Sequence, residues 1–177
     1  MKDLGHLSYF LGLEIASDKF GYYLSQAKYA NDLISRAGIT HTKVVNTPFD
    51  STEYLVATDG IPLSDETLYQ QLVGSLIYLI VTRPNIAYVV HIVSQFMSSP
   101  RTTHFSVVLC ILRYIRGILF HGLHFAHFSP ELRAYSDADW ADDLIDRRST
   151  IGYCFFLDTY LISWRSKKQT AVSHSST

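Results

Sequence analysis

Large apolar and polar residues alternate along this chain in two rhythms, and the changes between them divide it. Leu7 to Ile15 (LSYFLGLEI) is dense in strand-forming residues and predicts a β-strand with Gly12 at its middle. A glycine inside a strand marks close approach by a ligand or another backbone. Gly21 predicts a turn and Tyr22-Tyr23-Leu24 a returning strand. Ser25 then stands where a helix N-cap is expected. Ala30, Leu33, Ile34 and Ala37 follow at helical spacing, and Gly38 predicts the stop. The first module is therefore strand, turn, strand, helix.

Apolar periodicity vanishes over residues 40–63, where Thr, Asn, Pro, Asp and Gly recur, so this stretch is expected to be an exposed connector and the best domain boundary. Three helices are predicted next. Ser64 would cap the first, which runs through LYQQLVGSLIYLIV until Pro84 breaks it. The second spans Ile86 to Met97 with Val89, Val90, Val93 and Phe96 along one side. Thr103 would cap the third, HFSVVLCILRYIRG, whose Arg113 and Arg116 share a face at i, i+3.

The last part changes rhythm again. Leu132 to Trp140 (LRAYSDADW) predicts a strand, and Ile151–Leu157 and Leu161–Arg165 predict two more. In an extended chain Tyr135, Asp137 and Asp139 point to one side, the two carboxylates ~7 Å apart. Two such acids suit a hard divalent cation such as Mg²⁺, which activates water for phosphodiester hydrolysis. The competing reading is that they keep a strand edge soluble. Arg165, Lys167 and Lys168, expected just beyond the final strand, suit phosphate contact or plain solvation equally.

Composition narrows the class. With 177 residues, 47% of them hydrophobic and 14% aromatic, the chain has material for a real core. Fifteen basic against 16 acidic residues give a net charge of −1, which argues against a purely electrostatic nucleic-acid binder. Cys110 and Cys154 lie far apart in apolar runs and read as reduced thiols. No secretory leader pattern is visible and no apolar run reaches the ~18 residues of a membrane span. A soluble intracellular protein, cytoplasmic or nuclear, is expected.

Two weaker patterns carry no chemistry. His121, His124 and His127 recur every third residue, but no cysteine pair or carboxylate completes a tetrahedral zinc set. His174 among Ser173, Ser175 and Ser176 lacks the glycine-flanked turn of a hydrolase nucleophile.

The runs MKDLGHLSYFLGLEI, LSQAKYANDLI, LYQQLVGSLIYLIVTRPNIAYVV, SQFMSSP, ILRYIRG, YSDADWA, DRRSTIGYCFFL and ISWRSKKQTAVSHSS resemble, in order and spacing, the Pol polyprotein of copia-type LTR retrotransposons. The resemblance covers nearly the whole chain. It implies an α+β layout cut across two domains. Residues 1–63 would be the end of the reverse-transcriptase palm, with a primer-grip-like hairpin holding Phe10, Leu11 and Gly12, then a helix and linker. Residues 64–130 would be a helical, three-helix thumb-like bundle. Residues 131–177 would be an incomplete ribonuclease H-like domain of three strands.

On that resemblance Asp137 is the first metal-binding acid of ribonuclease H, with Asp139 in the same motif and a weaker candidate. Phe10, Leu11, Gly12, Arg113, Arg116, Arg165, Lys167 and Lys168 become nucleic-acid contacts. The implied partners are an RNA–DNA hybrid or template–primer duplex and the remainder of the Pol polyprotein, with no membrane; the implied cofactor is Mg²⁺ in the intact enzyme, not held tightly by this fragment. The polymerase's paired aspartates would lie upstream of the MKDLG run, and the later ribonuclease H acids beyond Thr177. Trp140-Ala141-Asp142-Asp143 imitates the polymerase motif Y-x-D-D but lies in the wrong module. The chain alone is thus expected to be catalytically inactive, the alternatives being a non-catalytic nucleic-acid-binding remnant or a functionless transposon relic. Cys110 stands where the family prefers a basic residue, and Asp158 where it prefers glycine.

Overall fold

A computed structural model describes residues 8–39, 43–49, 55–126, 129–139 and 147–172. Helices and strands are both present, and the chain divides into two units, Met1–His124 and Phe125–Thr177.

In the first unit Leu7–Ile15 is not one strand. Tyr9–Phe10 (β1) and Leu13–Asp18 (β2) pair antiparallel across a two-residue turn, Leu11-Gly12, at which both residues have positive φ, 49° and 85°. Gly12 is there because the turn demands a left-handed residue. Asp18 Oδ1 accepts the amides of Phe20 and Gly21, closing the next turn into Gly21–Ser25 (β3), the expected return strand. Gly122–Ala126 (β4) joins the far side of β3, giving the sheet order β1-β2-β3-β4. A Cβ at Gly122 would fall 2.3 Å from the Leu24 carbonyl oxygen, so only glycine fits there.

Helix α1 spans Ala27–Arg36 and buries Ala30, Leu33 and Ile34, as the periodicity predicts. Ser25 is not its cap. Gln26 takes that position, and Glu14 on β2 supplies the oxygen, its Oε2 accepting the Ala27 amide and the Ser25 hydroxyl, both at 3.0 Å. A carboxylate at a helix N-terminus satisfies an orphan N–H and opposes the positive dipole end.

Helix α2 (Glu66–Leu79) starts one residue later than expected, because Asp65 caps it, its Oδ1 accepting the Leu68 amide at 2.9 Å. Pro84 opens a short 3₁₀ turn, Pro84–Ile86, that leads into α3 (Ala87–Ser94). In helix α4 (Thr102–Gly117) the N-cap position is Arg101, not Thr103, and its amide donates to His104 Nδ1. Leu72, Val73, Leu76, Leu79, Val89, Val90, Val93, Val108, Ile111, Leu112 and Ile115 meet with the α1 stripe in one core. The buried Tyr69 hydroxyl donates to the Val93 carbonyl at 2.7 Å, and burial holds its pKa above the usual range.

Part of the expected connector is ordered against α4. Residues 61–63 pair with 100–102, Arg101 and Thr103 bind the carbonyls of Gly60 and Asp59, and His104 reaches the Val56 carbonyl.

The second unit is a three-stranded antiparallel sheet, Leu132–Ala138 (β5), Arg148–Leu157 (β6) and Tyr160–Val172 (β7), in the order β5-β6-β7. Strand β7 is longer than predicted, so Arg165, Lys167 and Lys168 lie within it and not after it. Asp158, at the β6–β7 turn, has φ 55°. Glycine adopts that conformation freely, an L side chain only at some cost. Among the described residues of this unit none is buried.

Candidate functional site

Register decides which side chains of the second sheet share a face. Asp137 pairs with Gly152, which pairs with Ser166, and Tyr135 pairs with Cys154, which pairs with Trp164. Lys168 pairs with Thr150 on that same side. Arg165 and Lys167 pair with Tyr153 and Ile151 and therefore point to the opposite face. The three cations do not form one cluster: Lys168 lies on the acid-bearing face and the other two behind it.

Asp137 is exposed, and its Oδ1 accepts only the neighbouring amide of Ala138 at 2.9 Å among the bonds described. A Cβ on Gly152, directly across from it, would meet open space. Asp139 is differently employed. Its two carboxylate oxygens lie 2.9 and 3.0 Å from the Thr150 amide, extending the β5–β6 ladder by one rung. One free carboxylate does not make a Mg²⁺ site, which needs several oxygen ligands. No group of three or more His, Cys, Asp or Glu is gathered together among the described residues. His121 and His124 are exposed there, and His127, Trp140-Ala141-Asp142-Asp143 and the Ser173–Ser176 stretch lie outside the described residues.

At the β1–β2 turn, Phe10 is 53% and Leu11 71% exposed. The turn is held from behind: the Tyr78 hydroxyl on α2 donates to the Leu11 carbonyl, and Tyr78 packs edge-on against Tyr29. The hairpin tip thus presents two apolar side chains from a fixed base. Arg113 is half-buried on α4. Arg116 is turned inward, donating to the Ile39 carbonyl at 3.1 Å beside a cavity of about 800 Å³ lined by Asn31, Ile34, Ser35 and residues 117–121.

Three polar residues matter to this scaffold beyond those the periodicity singled out. Arg83 is 1% exposed, donating to the Leu119 carbonyl at 2.8 Å and to the His121 carbonyl, which fastens the turn leading into β4. Burial lowers its pKa. Gln26 accepts the Thr82 hydroxyl at 2.9 Å, both residues buried. His104, fully buried, accepts the Arg101 amide at Nδ1 (3.1 Å), so its proton sits on Nε2 and is donated to the Val56 carbonyl (3.1 Å). Phe96 stacks on the ring at 3.9 Å, and burial lowers the imidazole pKa. An arginine directly before Pro84, and a histidine at the start of an apolar helix, are the only traces these residues leave in the sequence.

The sequence places the chain in a mobile-element protein class. The whole chain is 44% identical to the retrovirus-related Pol polyprotein from transposon RE1 of Arabidopsis thaliana and 37% identical to that from transposon TNT 1-94 of Nicotiana tabacum. It spans 12% and 14% of their lengths. An uncharacterized mitochondrial protein of Arabidopsis thaliana is 42% identical over the whole chain, which covers 74% of it. No family model and no solved structure matches. The chain belongs to the Pol polyproteins of copia-type retrotransposons. No helix among the described residues is long and apolar enough to cross a membrane.

Proposed function

We propose that the chain is the segment of a copia-type Pol polyprotein that carries the end of the reverse-transcriptase palm, the thumb and the opening strands of ribonuclease H. The observation that carries this reading is similarity along the whole of this chain to a segment of the RE1 and TNT 1-94 polyproteins. An exposed Asp137 on the first strand of an antiparallel three-stranded sheet is consistent with it. In the intact polyprotein the activities would be RNA-directed DNA synthesis and hydrolysis of RNA in RNA–DNA hybrids, with Mg²⁺ as cofactor. Asp137 would contribute one metal-binding acid among several, and Asp139 would position the strand that carries it. The segment alone would be inactive, since one carboxylate cannot hold two ions.

The test is incubation of the purified chain with Mg²⁺ and a hybrid labelled on its RNA strand. No cleavage is expected. Cleavage abolished by Asp137→Asn would overturn the inactivity. Grafting the segment into an active copia-type polyprotein and repeating Asp137→Asn tests the role itself, with loss of hybrid cleavage and retention of polymerisation expected.

The exposed Phe10 and Leu11 favour a second reading, a non-catalytic nucleic-acid-binding module. Duplex contact would use that hairpin tip with Gly12, Arg113 and Arg116 in one unit; in the other, Arg165 and Lys167 would serve from one face of the sheet and Lys168 from the opposite face. Affinity for a template–primer duplex should then fall steeply with salt. Salt-insensitive binding, or none at low salt, counts against it.

A further inference from the structure

Residues 55–63 are strapped across the start of α4. The Leu63 amide donates to the Pro100 carbonyl at 3.1 Å, the Thr102 amide to the Ile61 carbonyl at 2.9 Å, and the Ile61 amide to the Thr102 hydroxyl at 3.1 Å. Arg101 Nη1 reaches the Gly60 carbonyl at 2.8 Å, and the Thr103 hydroxyl reaches the Asp59 carbonyl at 2.6 Å. The approach is close: a Cβ on Gly60, at φ 82°, would fall 2.6 Å from Thr102 Oγ1. Yet none of residues 55–63 is buried, and only Leu55 and Leu63 pack partly against the core. The middle of the strap is held by hydrogen bonds.

His104 is fully buried where the strap meets the helix. Its Nδ1 accepts the Arg101 amide and its Nε2–H donates to the Val56 carbonyl, so one neutral ring ties the helix cap to the strap. A proton on Nδ1 turns that acceptor into a donor facing another donor. Of the charged groups around the ring, Arg101 at the helix cap opposes the added charge and Asp59 on the strap favours it. Phe96, stacked over the ring from beyond the end of α3, brings no charge. The bond to Val56 also favours the charged ring, but burial outweighs it, and the net effect disfavours protonation. An imidazolium at this position therefore gains by reaching water. The surrounding helices are locked by core residues such as Val93, Val107 and Val108, whereas the strap buries no residue. The strap is the element that yields.

We infer that residues 55–63 form an acid-released latch: a proton on His104 breaks its bond to the Arg101 amide and frees the strap from the start of α4 while the helical core stays folded. Release bares the His104 ring and the first turn of α4. The latch is closed at neutral pH, with the ring neutral. Every bond of it lies within the first unit, and the inference is independent of the proposed function.

Amide hydrogen exchange of the full chain from about pH 7.5 to about pH 5, with the chemical pH dependence divided out, tests it. Opening at the Ile61, Leu63 and Thr102 amides should become up to about tenfold easier per pH unit below about pH 6.5, because the released ring regains its ordinary affinity for the proton. Core amides such as those of Leu76 and Ile111 should not follow. His104→Asn should remove the pH dependence from the strap amides. Thr103→Val deletes one tether and should ease opening at every pH without changing the slope. In the unsubstituted chain the His104 ring, followed by NMR, should titrate over the range in which the strap opens, a readout that stands even where His104→Asn fails to fold. Strap amides indifferent to acid, core amides that accelerate in parallel, a ring that titrates apart from strap opening, or a slope that survives His104→Asn would each overturn the proposal.

Discussion

Both carboxylate oxygens of Asp139 lie within hydrogen-bond distance of the Thr150 amide. Asp137, two residues earlier, makes no such tie across the sheet. Asp139→Ala should therefore free the end of the β5–β6 ladder and cost about 1 kcal/mol, whereas Asp137→Ala should change stability by less than about 0.5 kcal/mol. Hydrogen exchange at the Thr150 amide separates them: it should accelerate in the first variant and stay unchanged in the second.

Arg83 is a buried guanidinium whose two Nη groups donate to two carbonyls of the turn after α4. Arg83→Met removes both bonds and leaves those carbonyls unpaired, for a loss of about 2–4 kcal/mol by denaturant titration. Lysine should not recover the difference, because a single ammonium lacks the fork that reaches both oxygens.

His104 is held neutral by burial, with Nδ1 accepting and Nε2–H donating. Arg101 opposes its protonation, while the Val56 carbonyl and Asp59 favour it less strongly than burial disfavours it. The folded pKa lies below the unfolded value of about 6.5, so the unfolded chain takes up the proton first. Stability should be level above about pH 6.5 and decline as pH falls below it. His104→Asn should flatten that part of the pH–stability curve; an unchanged slope would assign it to other groups.

Asp158 occupies a left-handed turn at φ 55°. Replacing it with glycine relieves that strain and should raise stability by about 0.5–1 kcal/mol, less whatever its carboxylate gains from the Ser129 amide at 3.3 Å. A lower melting temperature in Asp158→Gly would mean the Ser129 contact dominates.

The helices were legible because their buried stripes recur at helical spacing: Ala30, Leu33 and Ile34, or Val89, Val90 and Val93, define faces that any core would bury. Their caps were less so. Ser25 and Ser64 are good cap residues by type, yet Glu14 reaches α1 from β2, and Asp65, one position on, has the geometry to accept the Leu68 amide. A cap supplied from another element leaves no local signature. Gly12 was visible as exceptional and its reason was not, since a glycine suits both a strand interior and a two-residue turn and only the backbone dihedrals, here φ 85°, separate them. In the candidate site, Asp137 was recognisable by motif, but the opposite facing of Lys168 and Arg165 follows from the length and register of β7, which no spacing rule reveals.

The two units also bury very unequal amounts of themselves. Every residue of the apolar core belongs to the first, and no described residue of the second is buried. The heat-capacity increment of unfolding scales with the apolar surface newly exposed to water. A calorimetric scan of the whole chain should accordingly show one sharp endotherm from the helical unit. The β5-β6-β7 sheet would contribute a shallow, nearly featureless slope beside it.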